Sequence, residues 1–442
     1  MTAGKVAVFG LWHQGLVAAA CLAELGHQVV AVDATSGRIK ELQAGHLPVF
    51  EPDLAALIAS GTAAGRLHFG EDVRAAVFDA EFVILAFDTP VDDHDRSDVG
   101  MIFEAARAMA PHLAADAVVL VTAQVPVGTS ALLHDALCAG GSTAQIAYSP
   151  ENLRLGQAIE RYRHPVLPII GTNDLRSFER LEALFRPLGA SWQRTDLVTA
   201  EMMKHALNAF LATSICFGNE LGNLCDAVGA DGAQIASLLR LEPRIGPKAM
   251  LKPGLGFSGG TLARDMVSLR ALGDATGVET PLLDGAWTAN LEQNKLVVRR
   301  MRSLLPSLDG TRICVLGLTY KPDTSTLRRS AALDVIAELV AAGASVAGHD
   351  PGVAAAEMPS LAGFQFHDDA YEAAKSADAM VLMTPWADYR TLAFTRLRRV
   401  MRGNVIFDTA GLWQAAAVTD AGFTYIDIGR GRTRPQAAPT QR

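Results

Sequence analysis

Lys204 and Asn208 have the residue types and the spacing to bind a developing oxyanion. They lie in the segment DLVTAEMMKHALNAFLATSICFGNELGNLCDAVG, in which apolar residues recur at helical spacing without a proline. Residues four apart on a helix project from one face, so the ammonium and the amide would donate hydrogen bonds to the same oxygen. The alternative interpretation is a solvated lysine on a long structural helix.

A second group of reactive residue types lies in the loop GLGFSGGTLARD, Gly254 to Asp265. Its glycines permit close approach of the backbone to a ligand. Thr261 lies where a nucleophile would be expected, but a hydroxyl is a weak nucleophile unless a base activates it. Elsewhere, AQIAYSPENL puts Glu151 at the end of a predicted strand, either as a general base or as a surface acid.

The first residues have the pattern of a dinucleotide-binding unit. KVAVFG predicts a buried strand, LWHQGLVAAACLAELG a turn and a helix, and HQVVAVD a second strand that ends on Asp33. In such a unit a pyrophosphate binds at the helix N-terminus and the acidic residue binds the adenosine ribose. Gly10 and Gly15 match the first and third glycines of the fingerprint, but Trp12 replaces the second. The alternative is a Rossmann-like unit that binds nothing at this turn.

Further apolar runs predict the rest of two parallel sheets. FVILAFDTP and AVVLVTAQVPVG end in polar residues and put Thr89 and Gln124 at a ligand crevice. After the helices, TRICVLG, ASVAGHDP, ADAMVLMTPW and NVIFDTAG repeat the strand pattern. We therefore predict an α/β fold with two doubly wound Rossmann-like domains, joined by a long central helix and a helical segment. The expected boundaries are 1–195, 196–305 and 306–430, with a disordered tail over 431–442.

Composition excludes several classes of function. Half of the 442 residues are hydrophobic, which suffices for two or three domains. The formal net charge of −8 and the absence of a Lys/Arg-rich run argue against nucleic acid as a partner. No apolar run approaches membrane-spanning length and no signal-peptide pattern opens the chain, so we expect a cytoplasmic protein. The five cysteines lack a CxxC spacing, and we expect reduced thiols and no metal site.

The chain resembles the UDP-glucose/GDP-mannose dehydrogenase family from KVAVFG to about IDIG. The specific matches are LPVFEPDL, YSPENLRLG, AEMMKHALNAFLATSICFGNELGNLCD, PRIG, LKPGLGFSGGTLARD and GLTYKPDTSTLRRSAALDVI. The resemblance implies an NAD-dependent oxidation of the primary alcohol of a nucleotide sugar to a carboxylate, in two hydride transfers. It also implies an NAD-binding domain over 1–195, a nucleotide-sugar-binding domain over 306–430, and a homodimer built on the long helix.

The resemblance assigns roles to individual residues. Lys204 and Asn208 match the residues that hold the alcohol oxygen or oxyanion, Asp265 matches an aspartate that positions a catalytic water, and Glu151 matches the first glutamate of the SPE motif. The implied cofactor contacts are Gly10, Gly15, Asp33, Arg38, Thr89 and Arg328. The implied substrate contacts are Gly256, Phe257 and Lys321, together with Arg244, which would reach the sugar nucleotide of a neighbouring subunit.

The sequence departs from the family at the loop that carries its nucleophile. The family reads GFGGSCFPKD there, which places Thr261 at the cysteine that attacks the aldehyde intermediate. Gln124, Leu155 and Arg264 replace a threonine, a glutamate and a lysine, and the arginine expected after FD is missing around 409–411. A thiol with a reference pKa of about 8.5 forms a thiolate and then a thioester, whereas a threonine hydroxyl does not without a strong base.

We therefore expect an NAD-dependent nucleotide-sugar dehydrogenase that stops at the aldehyde, oxidises slowly, or does different redox chemistry on a nucleotide sugar. Lys204, Asn208 and Asp265 retain what the first oxidation needs, but Thr261 offers only a weak adduct for the second. Two alternatives remain open at this point. One is a redox-neutral, NAD-retaining enzyme such as an epimerase, and the other is a catalytically silent subunit that binds a nucleotide sugar.

The acidic residue after the second strand predicts a preference for NAD over NADP. The Asp33 carboxylate would accept hydrogen bonds from the free ribose hydroxyls and repel a ribose phosphate, although the nearby Arg38 leaves room for some accommodation. Titration of the purified protein with both cofactors should therefore give the lower Kd for NAD. Tighter binding of NADP would refute this prediction.

Overall fold

The computed structural model describes residues 4–92 and 96–430. The chain divides into two compact units, Met1–Leu207 and Asn208–Arg442, which we call the N-terminal and the C-terminal unit. The expected disordered tail over 431–442 lies outside the described residues. The domain boundaries expected from the sequence stay a prediction.

The N-terminal unit alternates strands and helices. Its elements in chain order are β1 Lys5–Phe9, α1 His13–Glu24, β2 Gln28–Val32, α2 Arg38–Gln43, α3 Leu54–Ala63, β3 Leu67–Gly70, α4 Val73–Val77, β4 Phe82–Leu85, α5 Gly100–Met109, β5 Val118–Val121, α6 Thr129–Ala139, β6 Gln145–Tyr148, α7 Ala158–Arg163, β7 Ile169–Gly171, α8 Leu175–Phe185 and β8 Gln193–Thr195. The long helix α9, Leu197–Val228, begins in this unit and ends in the next.

These strands form a sheet in the order β3-β2-β1-β4-β5-β6-β7-β8. Neighbouring strands are parallel except β6 and β7, which pair antiparallel at Tyr148 and Gly171. Strands β4 and β5 are buried along their whole length, as expected for parallel strands covered by helices on both faces. Because the strand order reverses beside β1, the carboxyl ends of β1 and β4 border a crevice of the kind that binds ligands in open α/β sheets.

The C-terminal unit begins with helices and ends in a second sheet. After α9 its elements are α10 Gly232–Leu239, α11 Gly260–Thr276, α12 Pro281–Asn294, α13 Leu296–Leu304, β9 Arg312–Leu316, α14 Ala331–Ala341, β10 Ser345–His349, β11 Phe364–Phe366, α15 Ala370–Ala374, β12 Ala379–Leu382, α16 Phe394–Val400, β13 Val405–Asp408, α17 Ala415–Asp420 and β14 Thr424–Asp427. The strand order is β11-β10-β9-β12-β13-β14, and every pairing is parallel.

The predicted fold class is confirmed, since both sheets are doubly wound and a 32-residue helix joins them in sequence. The strands that the sequence did not predict are β3, β7, β8, β11 and β14. Each is three or four residues long and most lie at the sheet edges, where partial exposure weakens the apolar pattern.

The cysteines of the chain are free thiols. Four are buried, and Cys138 is exposed. Within residues 4–92 and 96–430, no group of three or more His, Cys, Asp or Glu side chains could hold a metal ion. Over the same residues, no helix has the length and apolar character that crossing a bilayer requires.

Candidate active site

The turn between β1 and α1 accepts only glycine at two positions. Gly10 has φ +90°, and a Cβ added to it would lie 2.9 Å from the Cα of Phe87. A Cβ on Gly15 would overlap the carbonyl oxygen of Gly10. These contacts close the turn tightly onto the start of α1, which is the steric arrangement that a dinucleotide diphosphate requires. The first and third fingerprint glycines therefore fit NAD.

Asp33 is fixed beside this turn by two backbone groups. The Leu11 N–H donates to Asp33 Oδ2 at 2.5 Å and the Thr35 N–H donates to Oδ1 at 2.7 Å. Arg38, the first residue of α2, lies with its guanidinium carbon 5.3 Å from the centroid of the Trp12 ring. The acidic residue, the turn and Arg38 thus form one group at the carboxyl ends of β1 and β2.

The ends of β4 and β5 meet through a side-chain hydrogen bond. The buried Thr89 hydroxyl donates to the Gln124 carbonyl oxygen at 2.7 Å. The structure therefore brings together the two residues that the sequence placed at the crevice.

Lys204 is tied to the segment that carries Glu151. Its ammonium, in a side chain that is almost fully buried, donates to the Glu151 carbonyl oxygen and to Asn152 Oδ1, the latter at 3.1 Å. The Glu151 carboxylate accepts from the Leu153 N–H. The lysine is therefore a positioned cation rather than a solvated one, which excludes the structural alternative considered for it from the sequence.

Asn208 and Asp265 form a second buried pair, within the C-terminal unit. The Asn208 amide donates to Asp265 Oδ2, and the Asp265 carboxylate has no exposed surface. Thr261 lies four residues before Asp265, in the first turn of α11, and is exposed. Within the described part of this unit no group hydrogen bonds to the Thr261 hydroxyl, so it lacks the activating base that a hydroxyl nucleophile needs.

Buried side-chain amides hold the glycine loop that precedes α11. Asn219 on α9 donates to the Leu255 carbonyl and accepts from the Gly254 N–H, both at 2.9 Å. From α12, Gln293 donates to the Gly254 carbonyl at 2.6 Å and Asn290 to the Phe257 carbonyl at 3.2 Å. Because a buried backbone polar group must be paired, these amides fix the loop conformation.

Two glycines of α9 let the incoming chain pack against that helix. A Cβ on Gly218 would lie 2.7 Å from the Leu251 carbonyl oxygen, and one on Gly222 would lie 2.5 Å from the Pro253 Cβ. Glycine is unfavourable within a helix, so its presence here reflects the close approach of the strand-like segment 251–253. Because residues 251–253 pack closely on α9, the loop that follows them lies within hydrogen-bonding distance of its amide partners.

The loop forms one wall of a pocket of ≈ 600 Å³ in the C-terminal unit. Gly256, Phe257 and Lys321, three of the predicted substrate residues, line it. The lining residues also include three further cations and no acidic residue; those cations are Arg240, Lys248 and Lys252. A basic pocket of this size suits a phosphorylated ligand.

Two predicted residues lie outside this lining. Arg244 is exposed and its Nε lies 2.7 Å from Oε1 of Glu242. Arg328 is exposed in the segment before α14. Their proposed contacts, with a neighbouring subunit and with the cofactor, stay predictions.

The sequence reasoning missed the pocket cations and the amides. Lys252 lies two residues before the glycine loop, which is a signal that was available. Asn219 lies on the predicted long helix, and Asn290 and Gln293 are three apart on α12, but an isolated amide gives no sign of its backbone partner. Arg240 has no sequence signal at all, because only the fold brings it to the pocket.

Comparison with known proteins matches three successive domains. The matches are the NAD binding domain of the UDP-glucose/GDP-mannose dehydrogenase family over residues 4–189, its central domain over 198–292 and its UDP binding domain over 314–415. A UDP-glucose 6-dehydrogenase of Rhizobium meliloti is 35% identical, with 96% of this chain and 99% of the relative covered. The chain belongs to the UDP-glucose/GDP-mannose dehydrogenase family.

Other relatives agree with this assignment. TuaD of Bacillus subtilis, a UDP-glucose 6-dehydrogenase, is 32% identical, with 97% of this chain and 94% of the relative covered. A solved UDP-glucose dehydrogenase of Pyrobaculum islandicum superposes with a TM-score of 0.87 at 28% identity, covering 96% of this chain and 97% of that one. As a family member, the protein is an NAD-dependent enzyme of the nucleotide-sugar dehydrogenase type.

The three family domains divide the site residues among them. The NAD binding domain contains Gly10 to Glu151, the central domain contains Lys204 to Asp265, and the UDP binding domain contains Lys321 and Arg328. Trp12 lies inside the range matched by the NAD binding domain, and Thr261 lies inside the range matched by the central domain.

The amide contacts of the loop lead to a stability and binding prediction. Asn219→Ala should lower the free energy of unfolding by about 1–3 kcal/mol, because the Gly254 N–H and the Leu255 carbonyl lose their partner. It should also weaken UDP binding, since the loop walls the pocket. Denaturant unfolding and isothermal titration with UDP would measure both effects. Glu220→Ala, at the exposed neighbour on α9, is the control and should change neither; equal behaviour of the two variants would contradict the prediction.

Proposed function

We propose that this enzyme oxidises the primary alcohol of a nucleoside-diphosphate sugar with NAD and releases the aldehyde. The observation that carries the proposal is the state of Thr261, an exposed hydroxyl without a hydrogen-bonded base among the described residues of its unit. The basic pocket of the C-terminal unit supports binding of the substrate, whereas Thr261 stands where the resemblance expects the nucleophile of the second oxidation. A cytoplasmic location, expected from the sequence, belongs to the same proposal.

The basic pocket supports a nucleoside diphosphate as the recognised part of the substrate. Arg240, Lys248, Lys252 and Lys321 line it, and Lys252 also donates to the Ala410 carbonyl oxygen. Multiple cations facing one cavity favour a polyanionic ligand, and charge-assisted hydrogen bonds to phosphate are among the stronger ones. Since the matched C-terminal domain is described as UDP binding and the relatives are named for UDP-glucose, a UDP-hexose is the substrate to test first.

The first oxidation uses groups that this chain retains. NAD, when bound, supplies the hydride acceptor. Lys204, held by the Glu151 carbonyl and by Asn152, would present its ammonium to the alcohol oxygen and stabilise the alkoxide. Asn208 would donate to the same oxygen, and Asp265 both orients that amide and accepts the proton through a water.

The second oxidation needs an adduct that no thiol of the C-terminal unit can supply. Its cysteines are Cys216, Cys225 and Cys314, all buried. Burial raises the pKa of Cys216 to about 11 and that of Cys314 to about 12, and it also raises the pKa of Cys225. A thiol of such a pKa is almost entirely protonated at neutral pH and is a poor nucleophile. Within this unit the aldehyde therefore finds no thiolate with which to form a thioester.

Variants at two positions test this proposal through the products formed. With UDP-glucose and NAD, mass spectrometry of the wild-type reaction should show the aldehyde or its hydrate without the acid. Lys204→Ala should reduce aldehyde formation by about 10²–10³-fold, the effect of losing an oxyanion donor. Thr261→Cys should add acid formation, because a thiolate can form the missing adduct in a loop of the same shape. We expect only a limited rate of acid formation by Thr261→Cys, because Gln124 and Leu155 also differ from the family pattern.

Thr261→Ser is the matched control, since it keeps a hydroxyl and should form no acid. Acid from the wild-type protein would contradict the proposed stop at the aldehyde. An isomerised sugar without net reduced cofactor would instead indicate the redox-neutral alternative. Stabilisation by nucleotide sugars without any turnover would indicate a binding subunit.

We also propose that the enzyme is a homodimer built on α9. Phe210, Phe217 and Leu224 recur every seven residues on this helix and are 69%, 53% and 65% exposed in the single chain. Large apolar side chains in one exposed row mark an interaction surface, and a second copy of the same helix is the partner that a two-fold axis provides. The exposed Arg244 is then available to a neighbouring subunit.

Light scattering tests the dimer with two matched changes. Phe217→Glu puts a charge in the proposed interface and should give a monomer at micromolar concentration, whereas Phe50→Glu changes a phenylalanine that is 84% exposed in the N-terminal unit and should leave the dimer intact. A monomeric wild-type protein, or a Phe217→Glu variant that remains dimeric, would exclude this interface.

A further inference from the structure

Trp12 and Arg38 form a contact at the nucleotide turn that the glycine fingerprint does not explain. Trp12 directly precedes α1, and its side chain is 44% exposed. The Arg38 guanidinium carbon lies 5.3 Å from the indole centroid, within the range of a cation–π interaction. The Arg38 side chain is only 17% exposed, although its nearest carboxylate, on Glu41, is 3.8 Å away. The guanidinium therefore lies beside the indole, and its ion-pair partner among the described residues is the exposed carboxylate of Glu41.

The other polar side chains of the turn are already committed to structural partners. His13 Nε2 lies 2.8 Å from the buried Glu51 carboxylate, which also accepts from the Gly156 and Ala158 N–H groups. The Gln14 amide donates to the Thr122 carbonyl at 2.8 Å. Arg38 differs because, among the described residues, its guanidinium makes no hydrogen bond and has only the ion pair with Glu41 at 3.8 Å. Its five N–H donors can therefore bind an anion.

A side chain at position 12 changes how an anion can be bound there. In the glycine fingerprint the second glycine lets the backbone approach the pyrophosphate closely. An indole at this position keeps the diphosphate further from the backbone amides. The hydrogen bonds from these amides to the phosphate oxygens are therefore weaker. A guanidinium held beside the turn compensates, because it can bind phosphate oxygens with two parallel hydrogen bonds.

We propose that Trp12 and Arg38 act as one element that binds the diphosphate of NAD. Arg38 contacts the phosphate oxygens, and Trp12 is a positioning residue whose ring holds the guanidinium in place. This inference rests on the NAD binding domain and on contacts within the N-terminal unit, so it holds whichever sugar is oxidised and however many oxidations occur.

Titration calorimetry with NAD and with ADP-ribose tests the proposal without turnover. Trp12→Gly restores the fingerprint glycine, yet we expect it to weaken binding of both ligands by about five- to tenfold because Arg38 loses its support. Arg38→Gln should weaken binding by about tenfold or more. Trp12→Phe keeps an aromatic face and should bind nearly as well as wild type, and Lys40→Gln, an exposed cation on the same helix α2, is the control for net charge.

The double variant Trp12→Gly/Arg38→Gln separates joint action from independent contributions. If the two residues form one element, it should bind no more weakly than Arg38→Gln alone. If the Trp12→Gly variant binds NAD as tightly as wild type, or more tightly, the indole does not assist binding and the proposal is overturned. Unchanged binding by Arg38→Gln would overturn it as well. Thermal unfolding of the ligand-free variants establishes that each is folded. If Trp12→Gly does not fold, Trp12→Leu, which removes the aromatic face but keeps an apolar side chain, takes its place in both comparisons.

Discussion

The pairing of a glycine loop with buried side-chain amides is the constraint on which the C-terminal unit depends. The segment 254–257 has no regular secondary structure to fix its path, and two of its four residues are glycines. Asn219, Asn290 and Gln293 supply the missing hydrogen bonds from two helices. The loop can therefore wall a basic pocket and then start α11, the helix that carries Thr261 and Asp265. The same three amides therefore position both the pocket wall and the start of the helix that carries the reactive residues.

A carboxylate at the end of a second strand performs a related task in both units. Asp33 follows β2 and accepts from the Leu11 N–H at 2.5 Å, while Asp350 follows β10 and accepts from the Leu318 N–H at 2.6 Å. In each case the acid fixes the backbone turn after the first strand of its sheet. Both Rossmann-like domains therefore use an aspartate after the second strand to fix the turn after the first strand. At the first turn, Asp33 is also placed to meet a ribose.

The sequence predicted the architecture because its strongest signals are local. Continuous apolar strands and the proline-free pattern of α9 are properties of short windows, so the fold class and the long helix followed directly. Helical spacing singled out Lys204 and Asn208, and the resemblance named Asp265, but the contacts of Lys204 with Asn152 and of Asn208 with Asp265 were not predicted. Burial and hydrogen bonding arise between segments that are far apart in the sequence. A short stretch of sequence contains only one of the two partners. The pocket cation Arg240 illustrates this limit, since only tertiary structure gives it a role.

In the proposed function, a basic pocket recognises the substrate and Thr261 limits the enzyme to one oxidation. Side-chain amides hold the loop that walls this pocket, and the cysteines of the C-terminal unit are buried. The most direct measurement is the molar ratio of NADH formed to nucleotide sugar consumed when the reaction is complete. A ratio of one is the predicted result. A ratio of two would contradict the account, because it would require a complete second oxidation without a cysteine at position 261.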